Sequence, residues 1–314
     1  MKHKKKSNPK FIKKYLNYIG SSQNFLAKLN KCELCGSKKQ EIIREKISWN
    51  NNKFGKLPIS CCTNCGFIFQ TYKFNKKFYN LFYSEYYRKI IFSDTIPSKD
   101  FIKDQKFRGK ALHRFIENYL PKKGKMIDIG SGIGTMLLPY MKMGWHCEGN
   151  DPDFHFVKYG KEKLNLPVEC IQAEDMKIKK NFYDLIIIMG SLEHCYDPNI
   201  VLKKCSASAK KNSLLVLEAR GDPQSTTKNY FNHNHHRYFS KLSLELMMIK
   251  YGWAPIISTS YPITGPSRSG GIYCIGRFTG KPNNVNKLIN LGMRETVDSV
   301  IHKFKYFDYL ASKK

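Results

Sequence analysis

No run of about 18 consecutive apolar residues occurs in the 314-residue chain, which excludes a membrane-spanning helix. The basic start, Met1-Lys2-His3-Lys4-Lys5-Lys6, is followed by no apolar core, so it does not read as a secretory signal. With no export signal, ten cysteines argue against a disulfide framework. They predict reduced or metal-bound thiols in a cytoplasmic protein. Internal repeats are missing, and the lysines form no tight arginine-rich track with interleaved aromatics. Acidic residues are scarce, 25 against 54 Lys and Arg, for a net charge of +29. The excess sits outside residues 126–280, where 18 basic residues face 14 acidic ones. A basic periphery suits a polyanionic partner, but it also follows from general Lys and Asn enrichment.

With 41% hydrophobic and 13% aromatic residues the chain is not disordered, and its length suffices for a sizeable core. Residues 1–30 read as a basic leader. Phe11, Ile12, Tyr15, Leu16 and Ile19 in it have helical spacing. Residues 31–70 read as a small ribbon with strands near 41–49, 57–61 and 66–70. It carries two knuckles, Cys32-Glu33-Leu34-Cys35-Gly36 and Cys62-Thr63-Asn64-Cys65-Gly66. Two thiolate pairs on tight turns, each followed by a glycine, give the four sulfurs of a tetrahedral structural zinc. The predicted ligands are Cys32, Cys35, Cys62 and Cys65; Cys61 has the wrong offset and reads as a buried thiol.

Residues 71–120 are aromatic, basic and helical in spacing, a linker or lid. Tyr72, Phe74, Phe78, Tyr79, Phe82, Tyr83, Tyr86 and Tyr87 could stack bases, but a packed face is the simpler expectation. From 121 to 280 short apolar runs alternate with helical stretches. Strands are predicted near 125–129, 145–149, 168–171, 183–189, 213–218, 255–260 and 271–277. Helices are predicted near 134–144, 154–164, 198–209 and 240–251. This alternation predicts an α/β sandwich with parallel pairing. Residues 281–314 read as a basic helical tail.

The first of these strands ends in Asp128-Ile129-Gly130-Ser131-Gly132-Ile133-Gly134. Glycines there permit a tight turn and close approach of a ligand. Asp128 would repel a pyrophosphate and suits a ligand bearing an ammonium group. Asp151, at the end of the next strand, is placed to take both hydroxyls of a ribose, with Asp153 as second choice. Gln172-Ala173-Glu174-Asp175 follows the third strand, and Gly190-Ser191-Leu192-Glu193-His194 the fourth.

These pieces, with His236-Arg237-Tyr238-Phe239-Ser240 before a helix ending at Tyr251-Gly252-Trp253, resemble the class I S-adenosylmethionine-dependent methyltransferases. They resemble in particular the branch that carries an N-terminal four-cysteine zinc ribbon. The resemblance covers about 120–280. It implies a Rossmann-like seven-stranded sheet with helices on both faces and the last strand antiparallel, preceded by the ribbon. It also implies S-adenosylmethionine as cofactor: Asp128, Gly130, Ser131, Gly132 and Gly134 around the methionine moiety, Asp151 and Pro152 at the ribose, Ala173 and Glu174 beside the adenine, and Ser191 near the sulfonium. Gln172 departs from the acid that many members place at the adenine.

Methyl transfer needs a base when the acceptor is a hydroxyl, an amide or a carbon acid. The candidates are His236, His194 and His233, with His235 in the same cluster. Glu193 could orient His194, and Tyr230 and Tyr238 could shape the pocket. A small or glycosylated acceptor (a sugar, sugar nucleotide or related metabolite) ranks first. An RNA methyltransferase using the basic periphery and ribbon is the alternative, and a non-catalytic binding module on the same fold is the third.

Overall fold

The computed structural model describes residues 17, 26–45, 57–91, 95–221, 231, 234–268 and 270–313, with backbone alone at 26, 90, 91 and 311. Nearly all of the predicted leader helix lies outside them, as do Tyr230 and His233.

Five short strands open the chain: β1 (Leu26–Lys28), β2 (Gln40–Arg44), β3 (Ile59–Cys62), β4 (Ile68–Gln70) and β5 (Tyr72–Phe74). β2, β3 and β4 pair antiparallel in order, and β1 pairs with β5. Each knuckle closes as its sequence predicts. Gly36 and Gly66 sit at φ +78° and +75° and donate their N–H groups to the carbonyls of Cys32 and Cys62.

A helical segment follows: α1 (Lys76–Leu81), a π-helical turn over Phe82–Tyr86, α2 (Tyr87–Ile91) and α3 (Lys99–Ile116). Asn75 and Ser98 start α1 and α3 by accepting the N–H groups of Phe78 and Phe101. The aromatic stripe is core. Phe74, Phe78, Tyr79, Phe82, Tyr83 and Tyr86 are buried in one cluster with Leu57, Ile59 and Phe304. Phe74 and Phe78 stack at 3.9 Å, so these rings are committed to packing rather than offered to bases.

The remaining elements are β6 (Lys125–Ile129), α4 (Leu138–Lys142), β7 (His146–Asp151), α5 (Phe154–Leu164), β8 (Val168–Cys170), β9 (Tyr183–Met189), α6 (Pro198–Ser208), β10 (Ala209–Arg220), β11 (Arg237–Tyr238), α7 (Lys241–Lys250), β12 (Trp253–Thr259), β13 (Gly271–Phe278), α8 (Val285–Asn290) and α9 (Val297–Ser312). Seven strands form one sheet in the order β12-β13-β10-β9-β6-β7-β8. β10, β9, β6, β7 and β8 are mutually parallel, and β13 runs antiparallel between β10 and β12. This is the seven-stranded arrangement expected from the sequence.

Alternate residues of the central strands point to opposite faces. Ile127, Ile129, Ile186, Ile188, Leu215 and Leu217 join a core with α6, α7 and the ribbon residues Leu34, Phe67 and Phe69. Met126, Leu185, Ile187, Leu214 and Val216 join another with α3, α4 and α5. Both faces are covered, which explains the unbroken apolar run Leu185–Ile188. The helix predicted over 134–144 is shorter. Its first turn, Thr135–Leu137, is 3₁₀, and Gly144 at φ +75° lies just beyond its end.

One feature of the topology is not visible in the sequence. β11 lies between β10 and α7 in the chain, yet it pairs antiparallel with β4, Arg237 opposite Phe69 and Tyr238 opposite Ile68. The ribbon sheet therefore has the order β11-β4-β3-β2. The tail reaches back as well: Val300 and Phe304 of α9 enter the aromatic cluster, and Asp308 lies 3.6 Å from Arg44. No helix among the described residues is long and apolar enough to cross a membrane.

Candidate active site

A cavity of about 340 Å³ opens where the parallel strands end. Its floor is Gly130, Ser131 and Gly132 after β6, Asp151 and Pro152 at the end of β7, and Gly190 and Ser191 after β9. Gln172, Ala173 and Glu174 close one side. This is the crevice in which open α/β sheets take ligands.

The three glycines of the loop have three different reasons. Gly130, at φ +79°, has no room for a Cβ, which would lie 2.5 Å from that of Ser191. Ser191 in turn donates its hydroxyl to the Ile129 carbonyl at 2.8 Å. Gly132 faces the cavity and donates its N–H to Asp151 Oδ2 at 2.9 Å. Gly134 is not among the lining residues. At φ +80°, with Val168 Cγ1 2.5 Å from where a Cβ would stand, it lets the loop pack on β8.

Asp128, in β6, is not among the lining residues; it is 1% exposed, and neither carboxylate oxygen has a hydrogen-bond partner among the described residues. Burial pushes its pKa up to about 7, with Arg108 pulling down and Asp151 adding to the rise. Asp151 is better supplied. Its Oδ1 accepts the N–H of Asp153 at 2.9 Å, and Arg88 Nη2 stands 3.9 Å away. Burial still raises its pKa, against the pull of Arg88. Asp153 has structural duties: it caps α5 through the N–H of Phe156 and pairs with Arg88 Nε at 3.2 Å. Glu174 lines the cavity and accepts the N–H of Asp197 at 2.9 Å.

The histidines separate. His194 lines the cavity, and its Nδ1 lies 2.9 Å from the Asn234 carbonyl. Burial drives its pKa down to about 3, so the ring is neutral: Nδ1–H donates, and Nε2 carries the lone pair. His236 is not among the lining residues. It is fully buried, its ring 4.0 Å from that of Tyr79 and its Nδ1 3.2 Å from the Cys195 carbonyl. Burial and the charge of Arg237 hold its pKa well below the usual histidine range.

Sequence reasoning missed three ion-paired arginines in the cavity wall. Arg88 lies over the Phe156 ring at 3.8 Å, and Tyr83 and Tyr87 roof the cavity from the π-helical turn and α2. Arg108 of α3 and Arg268 both pair with Glu218 of β10, Arg108 Nη2 at 2.8 Å from Oε2. Two guanidinium groups thus share one fully buried carboxylate, while Asp104, Asp151, Asp153 and Glu174 line the same cavity and Arg88 is paired with Asp151 and Asp153. The only trace in the sequence is the Tyr83-Tyr87-Arg88 spacing; nothing local marks Arg108, Glu218 or Arg268.

The four predicted zinc ligands come together. Their sulfurs lie within 4.8 Å of one another, Cys32 to Cys65 at 3.7 Å and Cys35 to Cys62 at 3.6 Å. A tetrahedron with Zn–S of about 2.3 Å has edges of about 3.8 Å, so the cage fits zinc. Four thiolates would leave a bound zinc no open position, the arrangement of a structural site. Cys61 is buried outside the cage, as expected. The first knuckle is tied to the cavity. Glu33, between Cys32 and Cys35, makes a two-point ion pair with the fully buried Arg237 at 2.7 and 2.8 Å. Arg237 also donates Nη1 to the carbonyls of Cys195 at 2.6 Å and Leu192 at 3.2 Å, in the loop that carries His194.

Sheet order, glycine loop and strand-end cavity together define a class I methyltransferase domain. Residues 103–258 match the family described as a methyltransferase domain, and over those residues the chain belongs to the S-adenosylmethionine-dependent methyltransferases. A ubiquinone biosynthesis O-methyltransferase of Nitrobacter winogradskyi is 30% identical over 97 residues, 29% of this chain and 37% of that protein. One of Rhodopseudomonas palustris (strain BisB18) is 32% identical over 98 residues, 30% of this chain and 38% of that protein. The chain thus spans less than two fifths of the length of these relatives. Among solved structures, the Burkholderia thailandensis 1,6-didemethyltoxoflavin-N1-methyltransferase with bound S-adenosylhomocysteine has a TM-score of 0.43 at 14% identity, covering 56% of this chain and 78% of that one. An Aquifex aeolicus S-adenosylmethionine-dependent methyltransferase has 0.45 at 14% identity, covering 58% and 95%.

Proposed function

We propose that the protein transfers the methyl group of S-adenosylmethionine to an oxygen of a small acceptor, a sugar, sugar nucleotide or related metabolite. The observation that carries this is one cavity that brings the glycine loop, Asp151 and His194 together. The volume is on the scale of a small-molecule site, and most of the aromatic rings that could have stacked RNA bases are buried in a core. The ten unpaired cysteines fit a reducing, cytoplasmic setting.

The bare, buried carboxylate of Asp128 fits a ligand that brings positive charge. In this reading Asp128, Gly130, Ser131 and Gly132 hold the methionine moiety, and Gly134 keeps their loop in shape. Asp151 and Pro152 hold the ribose, Ala173 and Glu174 flank the adenine, and Ser191 closes the floor. Bound there, the cofactor supplies an electrophilic methyl group. The chain supplies position and excludes water. Tyr83 and Tyr87 cover the cavity, and His194 marks the acceptor end, where the neutral ring's Nε2 can accept a hydrogen bond from an acceptor hydroxyl and orient it. Cys32, Cys35, Cys62 and Cys65 would hold zinc away from the chemistry.

The test is calorimetric titration with S-adenosylhomocysteine, with zinc assayed on the same sample. Micromolar binding that weakens at least about tenfold in Asp151→Ala is expected. Absence of binding, or an unchanged affinity in that variant, refutes the assignment of the cavity. Binding to RNA with steep salt dependence would move the acceptor to the alternative class.

A further inference from the structure

The loop after β9 and the segment before β11 bring together three side chains that the cofactor does not need. One donor atom from each of Glu193, His194 and His235 lies within 4.8 Å of the others. The two imidazole rings stand 4.6 Å apart and tilted by 55°. We propose that these three residues bind a divalent transition-metal ion at the acceptor end of the cavity, a centre distinct from the four cysteines.

Two further observations point to a ligand. Glu193 is 3% exposed; its Oε1 accepts the N–H of Arg220 at 3.2 Å, and its Oε2 is buried with no hydrogen-bond partner among the described residues. A bare carboxylate oxygen in the interior is costly unless a cation or a donor meets it. His194, for its part, is fixed as metal-binding histidines are. One ring nitrogen is anchored on a backbone carbonyl, that of Asn234, and the other is left with its lone pair.

The cluster is also held in place by backbone. The N–H of His236 donates to the Glu193 carbonyl at 3.1 Å, and Gln70 of the ribbon donates its side-chain amide to the His235 carbonyl at 2.8 Å. Positive charge nearby does not forbid an ion, because the guanidinium of Arg268 is paired with Glu218.

Two imidazoles and one carboxylate suit zinc, iron, manganese or cobalt rather than magnesium or calcium. They fill three positions and leave the rest to water or to a ligand oxygen. His194 lines the cavity, so the open positions are reachable from it. This deepens the reading of the cavity as a methyl-transfer site: the ion would take Nε2 of His194 and itself meet the acceptor oxygen. Its existence does not depend on that reading.

The experiment is titration of the zinc-loaded full chain with cobalt(II), followed by visible absorption and metal analysis. One further equivalent per chain is expected, with the weak bands of a nitrogen–oxygen site rather than the strong ones of thiolate. The equivalent should be lost in Glu193→Gln and in His235→Ala, while S-adenosylhomocysteine affinity changes less than about threefold. No uptake by the wild-type chain, or uptake unchanged in both variants, overturns the proposal. Cobalt uptake without S-adenosylhomocysteine binding would instead sink the methyl-transfer reading and leave the metal site standing.

Discussion

Replacing Arg237 by methionine tests how tightly the ribbon is locked to the cavity. Arg237 is 0% exposed, and its partner Glu33 is nearly buried as well. Removing one member of such a pair costs about 3–5 kcal/mol, since the other charge is left without its partner. The carbonyls of Cys195 and Leu192 lose donors too, at about 1 kcal/mol each. Part of this is recovered, because Lys73 Nζ stands 3.8 Å from Glu33 and keeps some countercharge. The expected loss is therefore about 3–5 kcal/mol in urea unfolding. Glu33→Gln alone should also destabilise. The double variant should lose at least about 2 kcal/mol less than the sum of the two, the signature of a direct pair. A loss under about 1 kcal/mol, or simple additivity, would refute the argument.

Cys35→Ser should release the metal and open residues 31–45 and 57–70 to proteolysis, because binding at such a centre is folding energy; resistance equal to wild type after metal loss would count against it. Gly134→Ala should cost about 1–3 kcal/mol, from a non-glycine residue at φ +80° and a Cβ driven against Val168; thermal unfolding reads it. The raised pKa of Asp128 gives a pH dependence with a definite sign. The folded chain keeps a proton up to about pH 7 that an ordinary carboxyl releases near pH 4. Its contribution to the stability of the ligand-free protein is thus present below pH 4 and lost as pH rises through about 7. An ammonium-bearing ligand prefers the ionised form, so S-adenosylhomocysteine affinity should rise through the same range. Asp128→Asn should flatten that rise, and a profile unchanged by the substitution would remove Asp128 from the site.

The parts legible in the sequence are those fixed by local rules. The buried strands announce themselves as apolar runs, Leu185–Ile188 above all. The glycine loop and both knuckles declare their turns through residues that must adopt positive φ. The strand-end acid Asp151 follows from position alone. The missed features depend on partners distant in the chain. Arg108 and Arg268 reach Glu218 from opposite directions, and Gln70 holds His235 across 165 residues. The histidine cluster is dense in sequence, but density does not say which ring faces the cavity. Backbone pairing of 237–238 with the ribbon carries His236 away from the cavity wall, while the separate loop after β9 delivers His194.

The pairing of β4 with β11 also imposes an order of events during synthesis. β2, β3 and β4 leave the ribosome early, but the strand that covers the outer edge of β4 follows some 170 residues later. At about 5–20 residues per second the edge stays open for roughly 10–30 s. Through that interval its backbone groups and its apolar residues Ile68 and Phe69 offer a template for pairing with another nascent chain. Early metal capture would fix the geometry of the ribbon but would not cap this edge. The protein should therefore be most prone to aggregate when translation pauses between β10 and β11, and truncations that end there should be less soluble than shorter ones ending before β2.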